Sequence, residues 1–149
     1  MASPRVTPPA CPFCRIAAGT APAHMVSAGP EVIAFLPLRP VHAGHVLVVP
    51  RRHVEDIWDL DEPTAASVGR SVLRVAHAVR SVFRPDGLNV IQSSGAAATQ
   101  TVPHLHVHVV PRFANDRMGR IWPAPVEAPP GVQDDAARRL SEALTTEQD

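Results

Sequence analysis

The feature that most constrains this chain is the run His104-Leu105-His106-Val107-His108-Val109, in which imidazoles alternate with aliphatic side chains. Successive side chains on a β-strand point to opposite faces, and residues two apart lie roughly 6.6 Å apart along it. The alternation therefore predicts a strand that carries His104, His106 and His108 on one face and Leu105, Val107 and Val109 on the other. The aliphatic face supplies a core contact. The imidazole face must meet something polar, because apolar packing leaves ring nitrogens unsatisfied. Three readings are open at this point. The rings are incidental and partly exposed; or His-x-His chelates a hydrolytic metal; or a neutral imidazole, nucleophilic near pH 7, acts on a phosphate. The flanking segments TQTVP and VVPRF carry no carboxylate to serve as a third ligand or a base.

The rest of the chain frames that strand. A length of 149 residues fits one domain with a real core, and 45% hydrophobic against 19% charged residues excludes global disorder. Fourteen arginines balance fourteen acids, so no basic field gathers nucleic acid or an anionic membrane. The N-terminus MASPRVTPPA lacks a signal-peptide core and no stretch approaches a membrane span, so a cytoplasmic location is expected. The segments 31–36, 45–50 and 88–92 read as strands bounded by glycine and proline. A helix is expected from Asp61 or Glu62, with Pro63 in its first turn and Val68, Val72, Val75, Val79 and Val82 along one face; Pro85-Asp86-Gly87 ends it. These elements predict an α+β fold with a mainly antiparallel sheet. Residues 1–10 are expected to form a loose tail, 11–122 the domain, and 123–149 a Pro-rich linker with a short C-terminal helix packed on it. Cys11 and Cys14 form CPFC, which in a reducing compartment is either a redox pair or half of a metal site.

HLHVHVV matches the His-φ-His-φ-His-φ-φ signature of the histidine triad (HIT) superfamily, where φ is apolar. The match extends through CPFCRIAAG, VIAFLPLRPVHAGHVLVVPRRHV at 32–54, and GLN with SSGAAATQTVPH before the triad. The resemblance implies a HIT-like fold of about five strands, one long helix and a short C-terminal helix, on a chain that pairs into a homodimer. It implies attack by His106 on the α-phosphorus of a purine nucleotide, a phosphoramidate or a dinucleoside polyphosphate, through a nucleotidyl-histidine intermediate. His108 is the second catalytic histidine on this resemblance; Asn89, Gln100 and Thr101 line the phosphate, with His45 supporting the site from behind. Phe13, Ile16, Phe35 and Leu38 wall a base pocket or are plain core. Bacterial relatives hold a structural zinc at the positions of Cys11, Cys14, His53 and His104. Pro37 stands where many relatives carry an acid, and Thr99 where glycine is usual. The other readings are a non-catalytic nucleotide-binding or adaptor protein and a metal-dependent hydrolase.

Overall fold

A computed structural model describes residues 10–147, so the expected tail lies outside the described residues except for Ala10. The backbone forms two compact units that divide between Arg117 and Met118. The second contains one helix, Val132–Thr146, with Asp134 and Asp135 in its first turn. Arg138 bridges Asp135 and Glu142 on that helix.

The first unit is built on five antiparallel strands: β1 (His24–Ala28), β2 (Val32–Leu36), β3 (Val46–Pro50), β4 (Gly87–Gln92) and β5 (Val107–Arg112), in the order β1-β2-β3-β5-β4. The expected α+β architecture is present, with one long helix, α2 (Glu62–Phe83), across one face of the sheet and a short helix, α1 (Pro12–Ala17), near the start of the chain. Val32, Ala34, Val46, Val48, Val107 and Val109 form one layer with Val68, Val75 and Val79 of α2. On the opposite face Ile33, Phe35, Leu47 and Val49 pack with Cys11 and Phe13. Strands β2 and β3 are thus covered on both sides, which is why VIAFL and VLVVP are continuous apolar runs and do not alternate.

Local chemistry sets the ends of α2. The Asp61 carboxylate accepts from the Thr64 amide at 2.8 Å, and Pro63 needs no donor in the first turn. Arg84 closes the helix in a left-handed conformation, φ 48°. The valine stripe ends earlier than its spacing suggests: Val82 is 70% exposed.

The histidine strand is also shorter than expected. It begins at Val107, since the Leu105 amide donates to Val54 O at 2.7 Å instead of joining the ladder. Only His108 of the three histidines lies in the sheet, opposite Leu47 and Ile91.

Gly44 fixes how the loop before β3 meets α2. Its φ is +88°, and a Cβ there would stand 2.6 Å from a ring carbon of Phe83. Gly44→Ala therefore adds backbone strain to a steric clash one residue from His45. A loss of about 2 kcal/mol is expected in urea unfolding, and unchanged stability would show that the loop is not held against Phe83.

Candidate active site and metal centre

Four side chains converge behind α1. Cys11 Sγ lies 3.3 Å from His104 Nδ1, and Cys14 Sγ lies 3.3 Å from His53 Nδ1 and 3.5 Å from His104 Nδ1. All four donor atoms fall within 4.8 Å of one another. Bonds of about 2.0–2.3 Å to a tetrahedral ion would place such donors about 3.3–3.8 Å apart, so the cluster is of the size that a metal requires. The protonation pattern agrees. His104 Nε2 is 2.8 Å from Pro50 O, and a carbonyl only accepts, so the proton sits on Nε2 and the Nδ1 lone pair faces the sulfurs. Burial, then neighbouring Cys11, pushes the Cys14 thiol up to about 11. Two sulfurs and two imidazole nitrogens make a closed set with no position for substrate. Cys11 also caps α1 through the Cys14 amide, so the short helix and the cluster are one construction.

The His104 main chain carries the next link. Its carbonyl oxygen is 2.7 Å from His106 Nδ1, which must therefore hold a proton, leaving the lone pair on Nε2. No described residue bonds to that Nε2, and it is not among the buried unpaired side-chain atoms. The ring is held edge-on by Phe13, with centroids 5.2 Å apart, and burial lowers its pKa.

His108 is fixed from another direction. The Val41 amide donates to His45 Nδ1 at 3.0 Å, so His45 carries its proton on Nε2. That Nε2–H meets His108 Nδ1 at 2.9 Å, which leaves His108 protonated on Nε2. The rings of His106 and His108 lie 5.0 Å apart. One thus offers a lone pair and its neighbour an N–H, each polarity traced to a backbone group.

The remaining expected residues divide. Asn89 lies on β4 opposite Val110, with Oδ1 accepting from Arg112 at 2.7 Å, so its amide hydrogens are directed elsewhere. Gln100 spends its side chain on the backbone. Oε1 accepts from Gly95 N at 2.7 Å, and Nε2 donates to Glu55 O at 2.8 Å and Val102 O at 3.0 Å. It clamps the 93–101 loop and has no amide hydrogen left over for a phosphate. Thr101 is exposed. Thr99 takes φ 70°, a conformation that costs a residue with a branched Cβ about 1–2 kcal/mol and costs glycine little. Phe13 and Phe35 are core, 5.4 Å apart edge to face, and Ile16 packs against the same cluster. Leu38 is 91% exposed and does not wall that cluster; with Pro37, His42 and His45 it lines a separate cavity of about 250 Å³.

Four residues that the sequence did not single out complete the surroundings. Asp116 accepts from Arg112 Nε at 2.7 Å and Nη2 at 2.9 Å, and from the Phe113 amide at 3.1 Å. His42 Nε2 stands 3.1 Å from the same carboxylate, at ion-pair distance but off the line of a well-aligned hydrogen bond. Arg117 donates to Pro40 O at 2.7 Å and Val41 O at 3.0 Å. The signal available was the charged run PRFANDR directly after the histidines, with Arg and Asp at i and i+4.

Comparison with known proteins agrees with this arrangement. The family model described as HIT domain matches residues 18–115. "Protein hit" of Bacillus subtilis is 37% identical over 113 residues, covering 75% of this chain and 78% of the relative. "Adenosine 5'-monophosphoramidase hnt1" of Schizosaccharomyces pombe is 31% identical over 115 residues, covering 76% and 84%. The crystal structure of a Zn-bound histidine triad family protein from Mycobacterium smegmatis superposes with TM-score 0.69 at 34% identity, covering 93% of this chain and 95% of that one. No helix among the described residues is long and apolar enough to cross a membrane.

The ring environment fixes a pH response. Burial, then His106 and His45, lowers His108 to about 4 from an ordinary 6.5. The unfolded ring gains a proton below about pH 6.5 that the folded ring refuses, so this contribution to stability is full above that pH and fades as pH falls toward 4. Ring-proton NMR should show His108 titrating well below 6 in the folded protein; a midpoint near 6.5 would contradict its packing against His45.

Proposed function

The chain belongs to the HIT domain family, and on that premise we propose that it hydrolyses a purine nucleotide at the α-phosphorus, with nucleoside phosphoramidates or dinucleoside polyphosphates as the substrate class. The observation that carries this reading is the pair of opposite polarities at His106 and His108. His106 Nε2 forms the new bond to phosphorus while the bond from phosphorus to the leaving nitrogen or oxygen breaks. The ring becomes cationic, and its Nδ1–H strengthens its bond to His104 O as the charge develops. His108 Nε2–H and the Asn89 amide hydrogens serve the phosphoryl oxygens as donors already in place. A neutral imidazole is a good donor and a poor acid, so a leaving amine takes its proton from a water molecule. The hydroxide so formed attacks phosphorus as the bond from phosphorus to His106 Nε2 breaks, which releases the nucleoside monophosphate and returns the ring to its neutral form.

We assign zinc to Cys11, Cys14, His53 and His104, supported by the closed two-sulfur, two-nitrogen donor set and by the name of the M. smegmatis structure. A bound ion would add a covalent anchor to His104 at Nδ1 while Pro50 O holds Nε2. Its chemistry would be structural, and the ring of His104 held in this way would keep in place the carbonyl that sets His106. A metal-dependent hydrolase would need an open coordination position, and this donor set offers none. We also propose a homodimer formed on the β4 edge of the sheet, where Val90 is 52% and neighbouring Leu88 36% exposed. Nucleotide binding without turnover is the second reading, favoured by the engagement of Gln100 with the main chain.

The test is hydrolysis of adenosine 5'-phosphoramidate by the native protein and by His106→Ala. Turnover by the native chain and a loss of at least about a thousandfold in the variant are expected, with the fold kept. Native-like turnover in His106→Ala would overturn the nucleophile, and tight binding without turnover in the native chain would establish the second reading. Separately, complete removal of the metal should cost several kcal/mol in urea unfolding, toward the roughly 10 kcal/mol of small zinc peptides. Unchanged unfolding after verified removal would rule out a structural metal.

A further inference from the structure

Both donors assigned to the phosphate site owe their orientation to groups outside it. Asn89 can turn either end of its amide toward substrate, and what decides is the Arg112 guanidinium, which takes Oδ1 at 2.7 Å. Arg112 in turn is held by two bonds to Asp116, which is only 4% exposed. His108 likewise has two neutral tautomers. What decides is His45, whose own tautomer is set by the Val41 amide.

Val41 directly precedes a turn closed by the His45 amide on His42 O at 3.2 Å. That turn is gripped from the same 112–117 segment, by Asp116 beside His42 and by Arg117 on the carbonyls of Pro40 and Val41. His42 also stacks edge-on against Phe113, with centroids 5.6 Å apart. The two chains of contacts, one to Asn89 and one to His108, therefore start from one buried carboxylate and the residue after it.

We infer that Asp116, aided by Arg117, is a positioning residue that sets the hydrogen-bond polarity of the site, so that Asn89 presents N–H and His108 presents Nε2–H to a phosphoryl group. Loss of its charge weakens the two bonds that hold Arg112 Nε and Nη2, frees the Asn89 amide to turn, and loosens the segment that presents the Val41 N–H. Either change exchanges a donor for an acceptor, which repels an anionic oxygen.

Only the rate arm of the test rests on the hydrolase reading. Asp116→Asn and Arg117→Ala are prepared in 15N-labelled, metal-loaded protein, with Asp86→Ala as the control. Asp86 accepts from the Ala114 amide at 2.9 Å and so steadies the same 112–117 segment by a bond outside the Asp116 carboxylate. Long-range 1H–15N spectra at pH 7.5 read the ring nitrogens of His45 and His108. In the native protein each ring should show a protonated Nε2 and an unprotonated Nδ1. The 116 and 117 variants should show mixed tautomers, and adenosine 5'-phosphoramidate turnover should fall about tenfold or more at full metal content. Asp86→Ala should keep the native pattern. Ring nitrogens that stay native in both variants would overturn the inference, as would equal shifts in Asp86→Ala. If Asp116→Asn does not fold, Arg117→Ala decides by the same spectra. A native protein without turnover would sink the hydrolase reading and leave the ring nitrogens to decide this one.

Discussion

The site depends on how His104 is held. Its ring is fully buried, with Nε2 on Pro50 O and Nδ1 facing two sulfurs, so it has no freedom to rotate. Because the ring cannot move, neither can the backbone that carries it, and the carbonyl of that backbone receives the proton of His106. A residue turned toward the sulfurs thus fixes which nitrogen of its neighbour keeps its lone pair. The CPFC segment belongs to the same construction: it supplies the sulfurs, caps α1, and brings Phe13 against the rings of both His104 and His106.

Imidazole is ambiguous by nature, since either nitrogen of the neutral ring can hold the proton. Here the ambiguity is removed by main-chain groups, which have only one hydrogen-bonding sense. Pro50 O and His104 O accept, and Val41 N–H donates. Three different outcomes follow for three rings two residues apart: a lone pair facing two sulfurs on His104, a lone pair on Nε2 of His106, and an N–H donor on His108. Burial adds to this by holding the rings neutral, so the pattern persists in mildly acidic solution.

Much of this was legible in the residues. The alternation of imidazole and aliphatic side chains located β5, although the strand starts only at Val107, and the valine spacing located α2, because periodicity reports burial directly. The cluster of Cys11, Cys14, His53 and His104 was reachable only through the family resemblance, since no local pattern links residues so far apart. Other parts were not legible. Strand β1, HMVSA, is exposed along its length and shows no alternation, and α1 spans six residues whose order comes from the cysteine cluster. Gln100 was expected on the phosphate and its side chain bonds to the main chain around its own loop, and Leu38 was expected in a pocket wall with Phe13 and Phe35 and lines a separate cavity. Asp116 and His42 were not singled out from the sequence because they meet across segments about 70 residues apart, which no local pattern encodes.

The most direct measurement of the central claim is a chemical quench of the protein with adenosine 5'-phosphoramidate during turnover, followed by intact-mass and peptide mass spectrometry under conditions that preserve phosphoramidate bonds. The account predicts one adenylyl group per chain, located on the peptide that contains His106 and bonded through Nε2. An adduct on His104 or His108, or turnover with no adduct on any histidine, would contradict it.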